Sequence, residues 1–346
     1  MALTSNKIFA ELVGVERVLG LTLELSDKWN EPHRYYHNQE NHLNHILNDI
    51  DNINTDDVEY LEKLEIIAWF HDAIYDPKAN TNEEHSMSYW VDCIQHDMLD
   101  DPRVKEIGDC ILDTKSLKPR SDLSVTFLGI DFNQLRNGSF LTLYRNELLI
   151  LKEFQFVDYE KYKAMRLTFL NTIASKIPAL ISERVIDDLN KYILTHRPKV
   201  GVYAGSFDPF HIGHNNILEQ AERMFDKVII AVGINPDKRS QIDQDKFDAV
   251  TEALPYNQVI FCDRFLHNEI IEQEINCDVT LIRGFRSGYD ADADLKNIKF
   301  MKDAYEKLRV IFIACDSEFD HISSSALRGI AKINQDVINP YLKKRG

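Results

Sequence analysis

Two imidazoles three residues apart, His211 and His214, stand in the run VGVYAGSFDPFHIGHN from Val200 to Asn215. Spaced i, i+3 on a helix, they share one face. Val200, Val202 and Tyr203 read as a short buried strand, Gly205, Asp208 and Pro209 break it, and Ile217, Leu218 and Ala221 resume at helical spacing. Strand, turn and helix therefore place both rings in a first helical turn, where backbone N–H groups are free and the dipole end is positive. That is an anion site, suited to the phosphates of a nucleotide.

Further groups of the same kind follow along the chain. The run Val279 to Ile282 ends on Arg283-Gly284-Phe285-Arg286, where two guanidinium forks at i and i+3 match phosphate oxygens. Beyond Val310 to Ala314, Ser323 is a natural N-cap. Ser323-Ser324-Ser325 with Arg328 gathers hydroxyls, N–H groups and a cation at a helix start. The first half holds a different chemistry. In AWFHDAIYD, His71 and Asp72 are adjacent on an otherwise apolar surface. A buried carboxylate beside a buried imidazole is costly unless something pairs them, and a divalent first-row metal does so. His33, His37, His42 and His45 crowd the stretch upstream, and FLGIDFNQL around Asp131 lies downstream.

Helices must position that first set. Apolar residues at 8, 9, 12, 15 and 19 predict one amphipathic helix over Ser5 to Trp29; Ile46 and Leu47 mark another, Tyr60 to Phe70 a third, and Val185 to Leu194 the last. The run His196-Arg197-Pro198-Lys199 stops it. The division expected is a helical domain over 1–197 and a second domain over 198–346. In the second, apolar strands at 200–203, 227–232, 259–262, 279–282 and 310–314 alternate with helical stretches. The chain is thus expected to be α + α/β, its second domain a five-stranded, doubly wound parallel sheet of Rossmann-like type, with right-handed crossovers and ligands at the strands' C-terminal ends.

The totals narrow the classes. A length of 346 residues argues for two domains, and 44% hydrophobic content is ordinary for a globular chain. No apolar run approaches the roughly 18 residues of a membrane span, and no signal-peptide pattern opens the chain. Five cysteines, at 93, 110, 262, 277 and 315, form no CxxC pair. That argues against zinc ribbons and a disulfide framework and for a reducing cytoplasm. A net charge of −16 repels nucleic acid and anionic membranes. A nucleotide must then be gripped by local positive charge.

GSFDPFHIGH resembles the signature of the HIGH-type nucleotidylyltransferases, and Lys199 to Leu342 is similar to the phosphopantetheine adenylyltransferase family over nearly its whole length. The resemblance implies ATP and a phosphorylated small-molecule acceptor as partners, with Mg²⁺ accompanying ATP. A substrate phosphate attacks the α-phosphorus and pyrophosphate leaves. It implies a signature loop of Gly205, Ser206, Phe207 and Asp208, with Ser206 on the acceptor phosphate. His211 and His214 would donate to the α- and β-phosphates and Lys238 would bridge the developing charge. Arg283, Arg286 and Arg328 would hold phosphates, Asp294 would lie near the nucleotide, and Ser323, Ser324 and Ser325 would face the β- and γ-phosphates. The family's asparagine on the pantetheine arm has no clear counterpart: Met301 stands near its place, and Asn297 substitutes only if the helix is shifted. The acceptor expected is 4′-phosphopantetheine, with nicotinamide mononucleotide or another small phosphate as the alternative. HIGH also occurs in class I tRNA synthetases, but a KMSKS-like lysine motif is missing and the acidity disfavours tRNA. The resembled enzymes are often oligomeric, so a homo-oligomer is also expected.

Residues 5 to about 180 resemble the HD superfamily of metal-dependent phosphohydrolases, in an all-helical branch with WFHDxxYD. The implied ligands are His37, His71, Asp72 and Asp131, for Mn²⁺, Fe²⁺, Mg²⁺ or Zn²⁺. Glu83 or Glu84 would orient a metal-bound water, Arg145 would touch phosphate, and Tyr144 and Glu147 match the branch. Departures are equally plain. No histidine follows Thr114, Gly129 replaces an aspartate, and His42 sits one residue off the expected spacing after His37. A module that binds nucleotide or regulates without cleaving is the alternative.

Overall fold

The structure, a computed structural model, describes residues 3–233, 241–262, 266–286 and 288–342. It divides into two compact units, Met1–Glu153 with Met165–Leu194, and Phe154–Ala164 with Thr195–Gly346. The expected cut at 197/198 treats the chain as two consecutive pieces; the contacts instead group Phe154–Ala164 with the second unit.

The first unit is helical. Its opening amphipathic stretch is not one helix. Gly14 takes φ +92°, a left-handed conformation open mainly to glycine, and separates Lys7–Val13 from Val18–Trp29. Asn6 caps the first piece by accepting from the Phe9 N–H. The apolar faces converge on Phe9, Leu12, Leu25, Trp29, Phe70 and Trp90, all fully buried. Helix Val58–Phe70 runs through this core and delivers His71 at its C-terminal end. Between the second helix and Asn44–Asp51 lies a π-helical turn, Gln39–Leu43. A π-turn carries one extra residue within a helical path and is often found at functional sites. It accounts for His42 standing one residue off the spacing the sequence leads one to expect. Helices Asp122–Asp131 and Phe140–Glu153 bring in Asp131 and Glu153.

The second unit contains a parallel sheet of five strands, β1 (Lys199–Gly205), β2 (Lys227–Gly233), β3 (Gln258–Cys262), β4 (Asp278–Phe285) and β5 (Val310–Ala314). Their order is β3-β2-β1-β4-β5. Register is fixed by pairs such as Val202 with Ile229 and Tyr203 with Ile282. Strands buried on both faces need continuous apolar runs, and Val228 to Val232 is such a run. Helices Ile212–Met224, Gln241–Ala253, Leu266–Gln273 and Gly288–Ala304 make the crossovers. Between β1 and β4 the strand order reverses, the place where open α/β sheets receive ligands.

The segment Phe154–Ala164 is fastened within this unit by polar groups. The Lys227 side chain is buried, and its Nζ donates to the Gln155 carbonyl at 2.6 Å and to that of Val157. Burial pushes the Lys227 amine down to about 7. The Val228 N–H donates to Gln155 Oε1, and Tyr159 Oη donates to the His196 carbonyl. No helix among the described residues is long and apolar enough to cross a membrane.

Candidate functional site

A cavity of about 380 Å³ opens at the β1/β4 switch point. Its floor is the C-terminal end of β1, from Tyr203 to Gly205, and Arg283 and Gly284 of β4; its walls are Ser206, Phe207, His211, His214 and the Ser323–Ser325 turn, with Arg286 and Asp294 completing it. Asp208 and Arg328 lie outside this lining. Lys238 falls outside the described residues. Neither Asn297, which is exposed, nor Met301 reaches the cavity lining.

His211 is the N-cap of its helix, and the two imidazoles form a reciprocal capping box. The His214 N–H donates to His211 Nδ1 at 3.3 Å and the His211 N–H donates to His214 Nδ1 at 3.4 Å. The rings stack with centroids 3.6 Å apart. A nitrogen that accepts cannot carry the proton, so in each neutral ring the proton sits on Nε2. Burial, then Arg286, pushes His211 down to about 4. Burial, then His211 and Arg286, holds His214 well below the usual histidine range. Both rings are therefore neutral N–H donors near neutral pH, not imidazolium ions.

The turn before them is held tightly. Phe207 adopts φ +46°, in the left-handed region unusual for an aromatic residue, and its ring stands edge-on to His214 at 5.1 Å. A Cβ on Gly205 would come within 2.9 Å of that ring, so glycine is required there. Arg283 is held on three sides: Nε and Nη2 fork onto Asp294 at 2.9 and 2.6 Å, and Nη1 donates to the Ala204 carbonyl at 3.1 Å. Arg286 donates to the Ile322 carbonyl, and Ser324 Oγ to that of Pro209. Ser323 caps its helix by accepting from the Ala326 N–H. Arg328 donates to the Asp208 carbonyl and lies 3.5 Å from its carboxylate, which also pairs with Lys246 at 3.2 Å. In this structure Asp208 and Arg328 thus fasten the cavity's rim, whereas the sequence marks them as nucleotide contacts. Lys246 escaped the sequence reading because an isolated lysine on a helix carries no signal of its own.

In the first unit, His42, His71 and Asp72 offer ligand atoms within 4.8 Å of one another. His42 Nε2 lies 3.3 Å from His71 Nε2 and 3.2 Å from Asp131 Oδ1. His71 Nε2 lies 3.5 Å from Asp72 Oδ2. His71 is almost wholly buried, and its Nδ1 is 2.9 Å from the Ala68 carbonyl, which only accepts. Nδ1 is therefore protonated and Nε2 is the ligating nitrogen, a common arrangement around metal-binding histidines. Burial pulls His42 down, favouring the unprotonated ring a metal needs. Two imidazoles and two carboxylates fit a first-row divalent ion. The sequence puts His37 in this set, and the structure places it beside the set instead. Its Nδ1 is 2.7 Å from Glu153 Oε2, and its ring is edge-on to His42 with centroids 5.4 Å apart.

The remaining marked residues are engaged elsewhere. Lys115 pairs with Glu84 at 2.7 Å and reaches Glu83 at 3.8 Å. Arg145 donates to Asn41 Oδ1, Glu147 is forked by Arg166, and Tyr144 stacks on Tyr192. Sequence reasoning missed Arg34, which is buried and donates to the Asp72 and Ala73 carbonyls at 2.7 and 3.0 Å, fixing the turn that carries Asp72. It also missed Glu153, at the end of an unremarkable amphipathic helix.

The model of the cytidylyltransferase-like family matches residues 202–330. A phosphopantetheine adenylyltransferase of Neisseria meningitidis serogroup C is 33% identical over 143 residues, which is 40% of this chain and 82% of that protein. One from Buchnera aphidicola subsp. Schizaphis graminum is 32% identical over 151 residues, 42% of this chain and 89% of that protein. Among solved structures, a putative nicotinate-nucleotide adenylyltransferase from Vibrio parahaemolyticus covers 42% of this chain and 86% of its own, at 21% identity and a TM-score of 0.32, a likeness too slight to bear weight.

Proposed function

The chain belongs, through residues 202–330, to the cytidylyltransferase-like nucleotidyltransferases, and on that premise we propose that its second unit transfers AMP from ATP to the phosphate of 4′-phosphopantetheine. A phosphate oxygen of the acceptor attacks the α-phosphorus, the bond from that phosphorus to the bridging oxygen breaks, and pyrophosphate leaves. The nucleophile is already an anion, so no protein base is required. The work of the protein is alignment and charge neutralisation. Mg²⁺ enters with the nucleotide, whose phosphates ligate it.

The observation that carries this reading is the neutral histidine pair. With both Nδ1 atoms spent on backbone N–H groups, the Nε2–H groups are the donors left for phosphate oxygens, and they need no proton exchange to act. Arg283, preset by Asp294 and Ala204, and Arg286 supply the positive charge. The relatives named phosphopantetheine adenylyltransferase support the acceptor. The test is incubation of the full chain with MgATP and either 4′-phosphopantetheine or nicotinamide mononucleotide, with products read by mass spectrometry. Dephospho-CoA and pyrophosphate are expected. Formation of NAD alone would replace the acceptor, and no pyrophosphate with any phosphorylated acceptor would end the reading.

We further propose that the first unit is a metal-dependent phosphohydrolase whose ion is held by His42, His71, Asp72 and Asp131. The convergence of these four side chains favours it. Such an ion would supply a nucleophilic water and polarise a phosphoryl oxygen. Metal analysis of the purified chain tests it. A His71→Ala, Asp72→Ala variant with unchanged metal content and unchanged fold would leave a non-hydrolytic, nucleotide-binding module as the reading.

A further inference from the structure

The Glu153 carboxylate, wholly buried at the C-terminal end of helix Phe140–Glu153, collects five donors. Oε1 accepts the backbone N–H groups of Tyr35, Tyr36 and His37 at 2.9, 2.7 and 2.7 Å. Oε2 accepts from Tyr75 Oη at 2.8 Å and lies 2.7 Å from His37 Nδ1. A carboxyl group taking donors on both oxygens is an acceptor only, so His37 Nδ1 must bear a proton. His37 itself keeps 23% of its side chain exposed. Tyr75 stacks on the ring at 4.6 Å and leaves it little freedom to turn. Nε2 lies on the opposite edge of that ring.

We propose that Glu153 is a positioning residue of the first unit: it fixes His37 as the Nδ1-protonated ring, so that Nε2 is the atom presented beside the His42–His71–Asp72–Asp131 cluster to a phosphoryl oxygen of the ligand. This rests on the metal-site reading for the ligand's identity but not for the geometry of the dyad. Four donors already complete the cluster without His37. A polarised imidazole anchored by a carboxylate on its far nitrogen is a group suited to contact the anion rather than the cation. The three N–H groups on Oε1 bear directly on the test. In Glu153→Gln the amide oxygen stays on those N–H groups, which puts the amide NH₂ where Oε2 stood. That NH₂ donates, His37 Nδ1 must accept, and the ring proton moves to Nε2.

The experiment uses the full chain with ¹⁵N-labelled histidine and long-range ¹H–¹⁵N correlation spectra. In the unsubstituted protein His37 should show a protonated Nδ1, and in Glu153→Gln an unprotonated one. An unprotonated Nδ1 in the unsubstituted protein, readable whether or not the variant folds, overturns the proposal, as does an unchanged proton position in a folded variant. In a second arm the chain is loaded with Mn²⁺ and titrated with inorganic phosphate. Glu153→Gln and His37→Gln should each weaken phosphate binding by about 10- to 100-fold, the range typical of lost positioning partners, with Mn²⁺ affinity held within about threefold. Parallel loss of Mn²⁺ affinity would make His37 a ligand and overturn its phosphate role. Absence of Mn²⁺ binding in the unsubstituted protein would sink the metal-site reading alone, and the proton position would still decide the role of Glu153.

Discussion

Arg283 forks onto Asp294, Nε to Oδ2 at 2.9 Å and Nη2 to Oδ1 at 2.6 Å, and this pair sits in the lining of the cavity at the β1/β4 switch point. The guanidinium is thereby preset, with Nη1 also spent on Ala204. Asp294→Asn keeps the size of the side chain but only one accepting oxygen, so the fork opens. Displacement of a catalytic group by about 1 Å can cost 10²-fold. We expect kcat for adenylyl transfer to fall about 10- to 100-fold with fold and melting temperature nearly unchanged; full turnover in that variant would remove Asp294 from the machinery.

His214→Ala deletes one Nε2–H donor from the cavity. Removal of one transition-state donor typically costs about 3–4 kcal/mol, or roughly 10²–10³ in kcat. ATP affinity should change far less. Single-turnover and steady-state rates at saturating substrates measure the split.

The histidine pair also makes stability depend on pH. His211 stands at about 4 against an ordinary 6.5. Between those values the unfolded chain binds more protons than the folded one, so stability rises with pH up to about 6.5 and is flat above it. Conversely, roughly 3 kcal/mol should be lost as the pH falls from 6.5 to 4. Denaturant unfolding of the natural protein against His211→Asn, which can cap the helix but not titrate, reads the difference. Parallel curves for the two proteins would refute it.

Lys227→Met keeps the length of the side chain but leaves the Gln155 and Val157 carbonyls without their donor. A buried acceptor left unsatisfied costs about 1–3 kcal/mol. The expected result is a lower melting temperature together with new protease cleavage inside residues 154–164. Cleavage elsewhere first would show that Lys227 is not what holds that segment.

A first-row ion at the His42 cluster binds the folded chain and stabilises it by mass action. At a free concentration of 100 times its dissociation constant the gain is about 2.7 kcal/mol. Mn²⁺ should therefore raise the melting temperature, a chelator should reverse the rise, and His42→Ala should abolish it. An equal rise in His42→Ala would move the ion elsewhere.

The sheet was legible because its strands are unbroken apolar runs between turn residues, and the histidine pair because GSFDPFHIGH ties spacing to a strand–turn–helix order. The helical half was harder. The apolar spacing across 8 to 19 continues through Gly14, and only its positive φ shows the break. His42 was misplaced because linear spacing assumes a regular helix, and the π-helical turn Gln39–Leu43 is not one. Glu153 looks like any helix-end acid until the three N–H groups of residues 35–37 are brought to it from 116 to 118 residues away. Arg283 was recognised as a cation for phosphate, but its fork onto Asp294 needs the helix after β4 to fold back over the strand end.

The path of the chain between the two units bears on how they can be taken apart. It leaves the first at Glu153, contributes Phe154–Ala164 to the second, returns for Met165–Leu194 and departs again. The halves are interleaved rather than strung end to end, so no single scission yields both intact. A fragment beginning at residue 195 would keep every strand and the histidine pair yet lack the peptide carbonyls that solvate the Lys227 ammonium group, and a fragment ending at 194 would carry that peptide away from its partners.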